Sequence, residues 1–98
     1  MKYYQQGDVI LIKNACIKGE VQKTLVVQEG EHSGHAHRFS RPTTQLYLDG
    51  TQKYVRLAES DVIEHEEHFP LEIERGDYEV RIVRQKDIFT KVIAPVID

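Results

Sequence analysis

The chain has 98 residues, enough for one domain whose core holds one site and little more. It is 40% apolar and 30% charged, which excludes a disordered chain, and its formal net charge of -3 argues against a nucleic-acid-binding surface. A single cysteine, Cys16, excludes an internal disulfide, and no stretch approaches the roughly 20 apolar residues of a membrane span.

The opening Met-Lys-Tyr-Tyr-Gln-Gln-Gly-Asp contains no apolar segment of a secretory signal. The expected location is therefore cytoplasmic, in a bacterial cell or an infected host cell. Residues 8–13 place four consecutive aliphatics between polar ends; too short for an independent helix, they read as a buried strand. Cys16, between Ala15 and Ile17, is expected to be a small buried hydrophobe. Residues 21–29, with Leu25, Val26 and Val27, read as a second strand. Residues 30–34 form a loop with two permissive glycines, and residues 35–39 return to strand.

Pro42-Thr43-Thr44 breaks the chain. Residues 45–48 then run into Asp49-Gly50, a strong hairpin signal, and residues 54–57 continue beyond it. Residues 61–65 read as another strand and residues 66–70 as a turn. In the last third Leu71 and Ile73 share a face, Arg75-Gly76-Asp77 turns, and Tyr78, Val80 and Ile82 alternate with Glu79 and Arg81. This predicts a hairpin laying Leu71, Ile73, Tyr78, Val80 and Ile82 on a common core. The Arg-Gly-Asp tripeptide needs only a backbone explanation there, because Gly and Asp are turn residues. No amphipathic helix of ten or more residues is visible, beyond one turn over residues 87–93. Roughly seven or eight short strands at about 8–12-residue spacing predict one all-β domain over residues 1–98. The expected architecture is a small β-barrel or sandwich, cupin- or jelly-roll-like, with short or no helix.

Chemistry concentrates in two segments that hold all five histidines: His32, His35 and His37, then His65 and His68. Imidazole is the commonest protein ligand for transition metals and the usual proton carrier near neutral pH. His35 and His37, two apart, share a face if the segment is a strand. His65 and His68, three apart, converge only if a bend before Pro70 turns both inward. Three His, or two His and a carboxylate, form the usual inventory of a divalent-metal site with an open position. The expected ligands are His35, His37, His65 and His68, with His32, Glu31, Arg38, Glu64, Glu66 and Glu67 as further ligand or supporting residues. The ion would be zinc, iron, manganese or nickel. Solvated histidines among glutamates are the plain alternative. Arg38 and Arg41 suit either a ligand anion or a surface ion pair, and Arg81, Arg84, Lys86 and Lys91 suit a solvated strand edge. No nucleotide loop, nucleophile elbow, paired-cysteine zinc site or His-Glu-x-x-His helix is present.

Gly30 followed by His35-Ala36-His37, with a proline-to-glycine hairpin over residues 70–76, loosely resembles the cupins. The chain departs from them in having Arg41-Pro42 where a cupin places its glutamate, and no histidine after Gly76. Nearly the whole chain more closely resembles a group of short bacterial and bacteriophage proteins. It shares with them Gly7-Asp8-Val9, the Glu29-to-Arg38 segment, His65 to Leu71, Gly76 to Val80, Asp87-Ile88-Phe89-Thr90 and Val96-Ile97-Asp98. It departs at Gln85-Lys86, where the group tends to Glu-Tyr. The resemblance implies that both histidine segments belong to one pattern, and it implies no activity.

Two functions follow as expectations. One is a metal-binding β-domain, whose chemistry, if it is catalytic, is expected to be hydrolysis or isomerisation of a small polar substrate. The other is a non-enzymatic assembly or accessory protein, phage-derived and then located in the virion, with its histidines at a subunit interface. A homo-oligomer and a small-molecule ligand are the expected partners; nucleic acid and membrane are not.

Overall fold

The computed structural model describes residues 2–29 and 34–83, and every structural statement here concerns those residues. They form ten strands: β1 Tyr3–Gln6, β2 Val9–Lys13, β3 Glu20–Gln22, β4 Val26–Glu29, β5 Ala36–Phe39, β6 Gln45–Asp49, β7 Gln52–Leu57, β8 Asp61–His65, β9 His68–Ile73 and β10 Gly76–Ile82. All pair antiparallel, in a six-stranded sheet ordered β1-β2-β10-β7-β6-β3 and a four-stranded sheet ordered β4-β5-β8-β9. No described residue is helical, and no strand pair joins the two sheets into a closed barrel. No helix is long and apolar enough to cross a membrane.

The period-two pattern explains the core. Val9 and Leu11, Val55 and Leu57, and Tyr78 and Val80 turn inward from the six-stranded sheet. Phe39, Ile63 and Ile73 meet them from the four-stranded one, in a single hydrophobic cluster. Each such side chain contributes about 1.5–3 kcal/mol on full burial. Tyr78 satisfies its hydroxyl inside the protein by donating to Glu74 O at 2.6 Å.

Four expectations need correction. Residues 21–29 are two strands in different sheets, with a break in which Thr24 Oγ1 accepts from Val26 N. The segment over residues 66–70 turns only at Glu66-Glu67; from His68 onward it is strand, and Pro70 is tolerated because β9 is an edge strand. The alternating hairpin does not exist. β9 pairs with β8, whereas β10 inserts between β2 and β7, so the turn at Arg75 links the two sheets. Leu71, Ile73, Tyr78 and Val80 still converge on the core, but across the sheets, and Ile82 is exposed. Cys16 is also exposed, because it lies in the irregular segment between β2 and β3.

Candidate metal centre

Three segments distant in sequence meet at one end of the four-stranded sheet. β5 carries His37, which is only 1% exposed. β8 and β9 form a hairpin whose two-residue turn, Glu66-Glu67, leaves His65 and His68 as directly opposed partners. Cross-strand pairing thus brings these two together, with no bend before Pro70 needed. Glu66 fastens the turn over β5: its carboxylate accepts from Ala36 N and Arg38 Nη2, each at 2.8 Å. The Ala36 amide and then the Arg38 guanidinium hold that carboxyl down at about 2.

One ring nitrogen from each of His37, His65 and His68 lies within 4.8 Å of the others. The ring centroids of His37 and His65 are 4.3 Å apart, those of His65 and His68 4.6 Å, and those of His37 and His68 5.8 Å. Neutral rings tolerate this crowding; charged ones repel. Burial, then the neighbouring His65, lowers the His37 pKa to about 4 despite Asp8 beside it. Burial and then His68 also lower that of His65. His37 and His65 are therefore held neutral near neutral pH, as metal ligation requires.

β1 and the turn after it complete the surroundings. Gln6, buried, accepts from His37 Nδ1 through its Oε1 at 2.9 Å, and Asp8 Oδ1 stands 3.1 Å from His37 Nε2. Gly7 has a φ of +58°, and a Cβ there would lie 2.5 Å from His68 Nε2, so the absent side chain lets the ring approach. On the other side, His65 Nδ1 accepts from Glu67 N at 3.0 Å. An ion at His65 must displace either that amide or the proton left on the opposite nitrogen, so this ligand has the most rearranging to do.

The remaining expected residues are placed as follows. His35 precedes β5, so strand alternation does not govern it; it contacts the His65 ring at 5.7 Å and pairs through Nδ1 with Glu67 at 2.8 Å, beside the three-imidazole group. Arg38 is held by Glu66, and Arg41 by Glu59 and Ser60 O. Glu64 accepts from Ser40 Oγ. His32 and Glu31 lie outside the described residues, as do Arg84, Lys86, Lys91 and the turn expected over residues 87–93. Sequence reasoning missed Gln6 and Asp8 as site residues. Gly7-Asp8 was visible only as a strand opener, and nothing in its spacing ties it to histidines about thirty positions away.

A groove of about 660 Å³ opens beside the cluster, lined among others by Gln5, Gln6, Gly7, His68 and Phe69. Gln5 Oε1 is buried without a hydrogen-bond partner among the described residues. No curated protein and no solved structure matches the chain. A family described as a domain of unknown function (DUF8820) matches residues 5–85, a span that includes every member of this cluster, and the chain belongs to that family.

Proposed function

We propose that the protein is a metal-binding β-domain whose centre is His37, His65 and His68. The observation that carries this is the convergence of three ring nitrogens within 4.8 Å, one of them on a ring that is almost fully buried. Three imidazoles at this spacing suit zinc, iron, manganese or nickel. Such an ion supplies Lewis acidity or an activated water. The adjoining groove, with its mixed lining, suits a small polar ligand, so hydrolysis or isomerisation of such a ligand is the reaction class we favour. In this reading the likeness to cupins lies in imidazoles carried on a β-frame. Elemental analysis of protein purified without a His-tag tests the proposal. About one equivalent of a transition metal, as isolated or after reconstitution, is expected; a metal content near zero under both conditions refutes it.

One observation favours a second reading, that of an assembly or accessory protein, phage-derived and placed in a virion. Phe69 is 86% exposed on edge strand β9, next to His68, where an isolated chain gains nothing from it. Light scattering separates the two readings. A metal-free oligomer that dissociates on Phe69→Ser supports assembly, and a metal-loaded monomer removes it.

A further inference from the structure

We propose that Asp8 is the fourth ligand of the centre, and that Gln6-Gly7-Asp8 is a metal-binding turn. The inference rests on the three-imidazole reading above and adds to it a carboxylate from the other sheet.

Gln6 holds the turn in place. Its Nε2 donates to Ile63 O at 3.0 Å and to Phe69 O at 2.9 Å. Both partners are carbonyls and can only accept, so the amide cannot be turned over without setting its oxygen against them. Gln6 Oε1 is therefore the atom 2.9 Å from His37 Nδ1, and an amide oxygen takes only a donor. Nδ1 carries the hydrogen. A neutral imidazole has one N–H, so His37 Nε2 presents a lone pair.

That lone pair meets a second acceptor, Asp8 Oδ1, at 3.1 Å. Two acceptors at this distance need a positive species in common, either a proton or a metal ion. The spacing fits two ligands of one ion. With metal–ligand bonds of about 2.0–2.1 Å and angles between octahedral and tetrahedral, ligand atoms sit about 2.9–3.4 Å apart. A lone His–Asp pair would be complete with the proton alone. Here a ring nitrogen from each of His65 and His68 stands within 4.8 Å of one on the same imidazole, offering an ion further ligands that a single proton could not use.

The turn is shaped for this task. Gln6 fixes the His37 tautomer, as a supporting partner does at metal-bound histidines. Gly7 admits the His68 ring, and Asp8, its side chain 46% exposed, closes the rim. Charge agrees too: three neutral imidazoles leave a divalent ion's full charge beside the buried core, and one carboxylate halves it.

The test uses Co2+ as the probe, titrated into the metal-free full chain and followed by its visible absorption. Asp8→Asn is expected to bind Co2+ about 10–100-fold more weakly with altered visible bands. Asp8→Cys is expected to gain a near-ultraviolet thiolate-to-cobalt charge-transfer band that wild type, with Cys16 alone, does not show. This gained signal does not depend on a loss of fold, which circular dichroism checks for both variants. Wild type that binds Co2+, with Asp8→Asn indistinguishable from it and Asp8→Cys lacking the band, overturns the fourth ligand and leaves the three-histidine centre standing. Wild type that takes up no Co2+ overturns both.

Discussion

Strands β5 and β8 carry a buried polar group at each of their two ends, and the two ends are built on opposite principles. At one end Asp61, 2% exposed, accepts from Ser40 N, Arg41 N, Val62 N and Thr44 Oγ1, so its carboxylate is saturated by protein donors. At the other, His37 is as deeply buried, yet its Nε2 faces an acceptor and its ring is crowded by two further imidazoles. A polar group that only supports the fold has its partners supplied by the fold. A group whose remaining partner is a carboxylate, with ring nitrogens crowding in, suits the proposed ion.

The largest effect should come from the closed end. Asp61→Ala strands three backbone amides and a buried hydroxyl, and should cost about 3–5 kcal/mol in urea unfolding while leaving Co2+ affinity of the folded protein unchanged. A loss below about 1 kcal/mol would show that this network is not structural.

Next is the response of the metal-free protein to acid. The folded pKa of His37, about 4, lies below the ordinary 6.5, so the unfolded chain takes up this proton first. The contribution is fully present above 6.5 and is lost as pH falls towards 4, approaching about 3 kcal/mol. Urea melts across that window should show the slope in wild type and its loss in His37→Gln. An equal slope in both would assign the acid sensitivity elsewhere.

Gln6→Ala should do less to stability, about 1–3 kcal/mol, because it strands two carbonyls at the end of the four-stranded sheet. Its larger mark should be on metal affinity, about 10–100-fold weaker once His37 can adopt either tautomer. Destabilisation with unchanged affinity would make Gln6 part of the architecture instead. His35→Gln should be the mildest change, within about 1 kcal/mol and with metal stoichiometry intact, because the exposed pair with Glu67 contributes little.

The parts that local pattern encodes were legible. The aliphatic run at Val9 to Ile12, the Asp49-Gly50 hairpin and the alternation of Tyr78 and Val80 are all realised. The pairing of β10 was not, because alternation fixes which face a residue shows and not which strand lies beside it. Turn chemistry at Arg75-Gly76-Asp77 looks the same whether the chain folds back within a sheet or crosses to another. Histidine content pointed to the candidate cluster, and the short Glu66-Glu67 turn explains how His65 and His68 meet. Gln6 and Asp8 join it through contact between the sheets, which no local spacing records.

The most direct test of a shared ion is nitrogen NMR of the imidazole rings during Zn2+ titration. The ring nitrogens of His37, His65 and His68 should shift together and saturate at one equivalent, with His35 left near its starting position. Three rings that titrate independently, or a His35 response equal to theirs, would contradict a common centre.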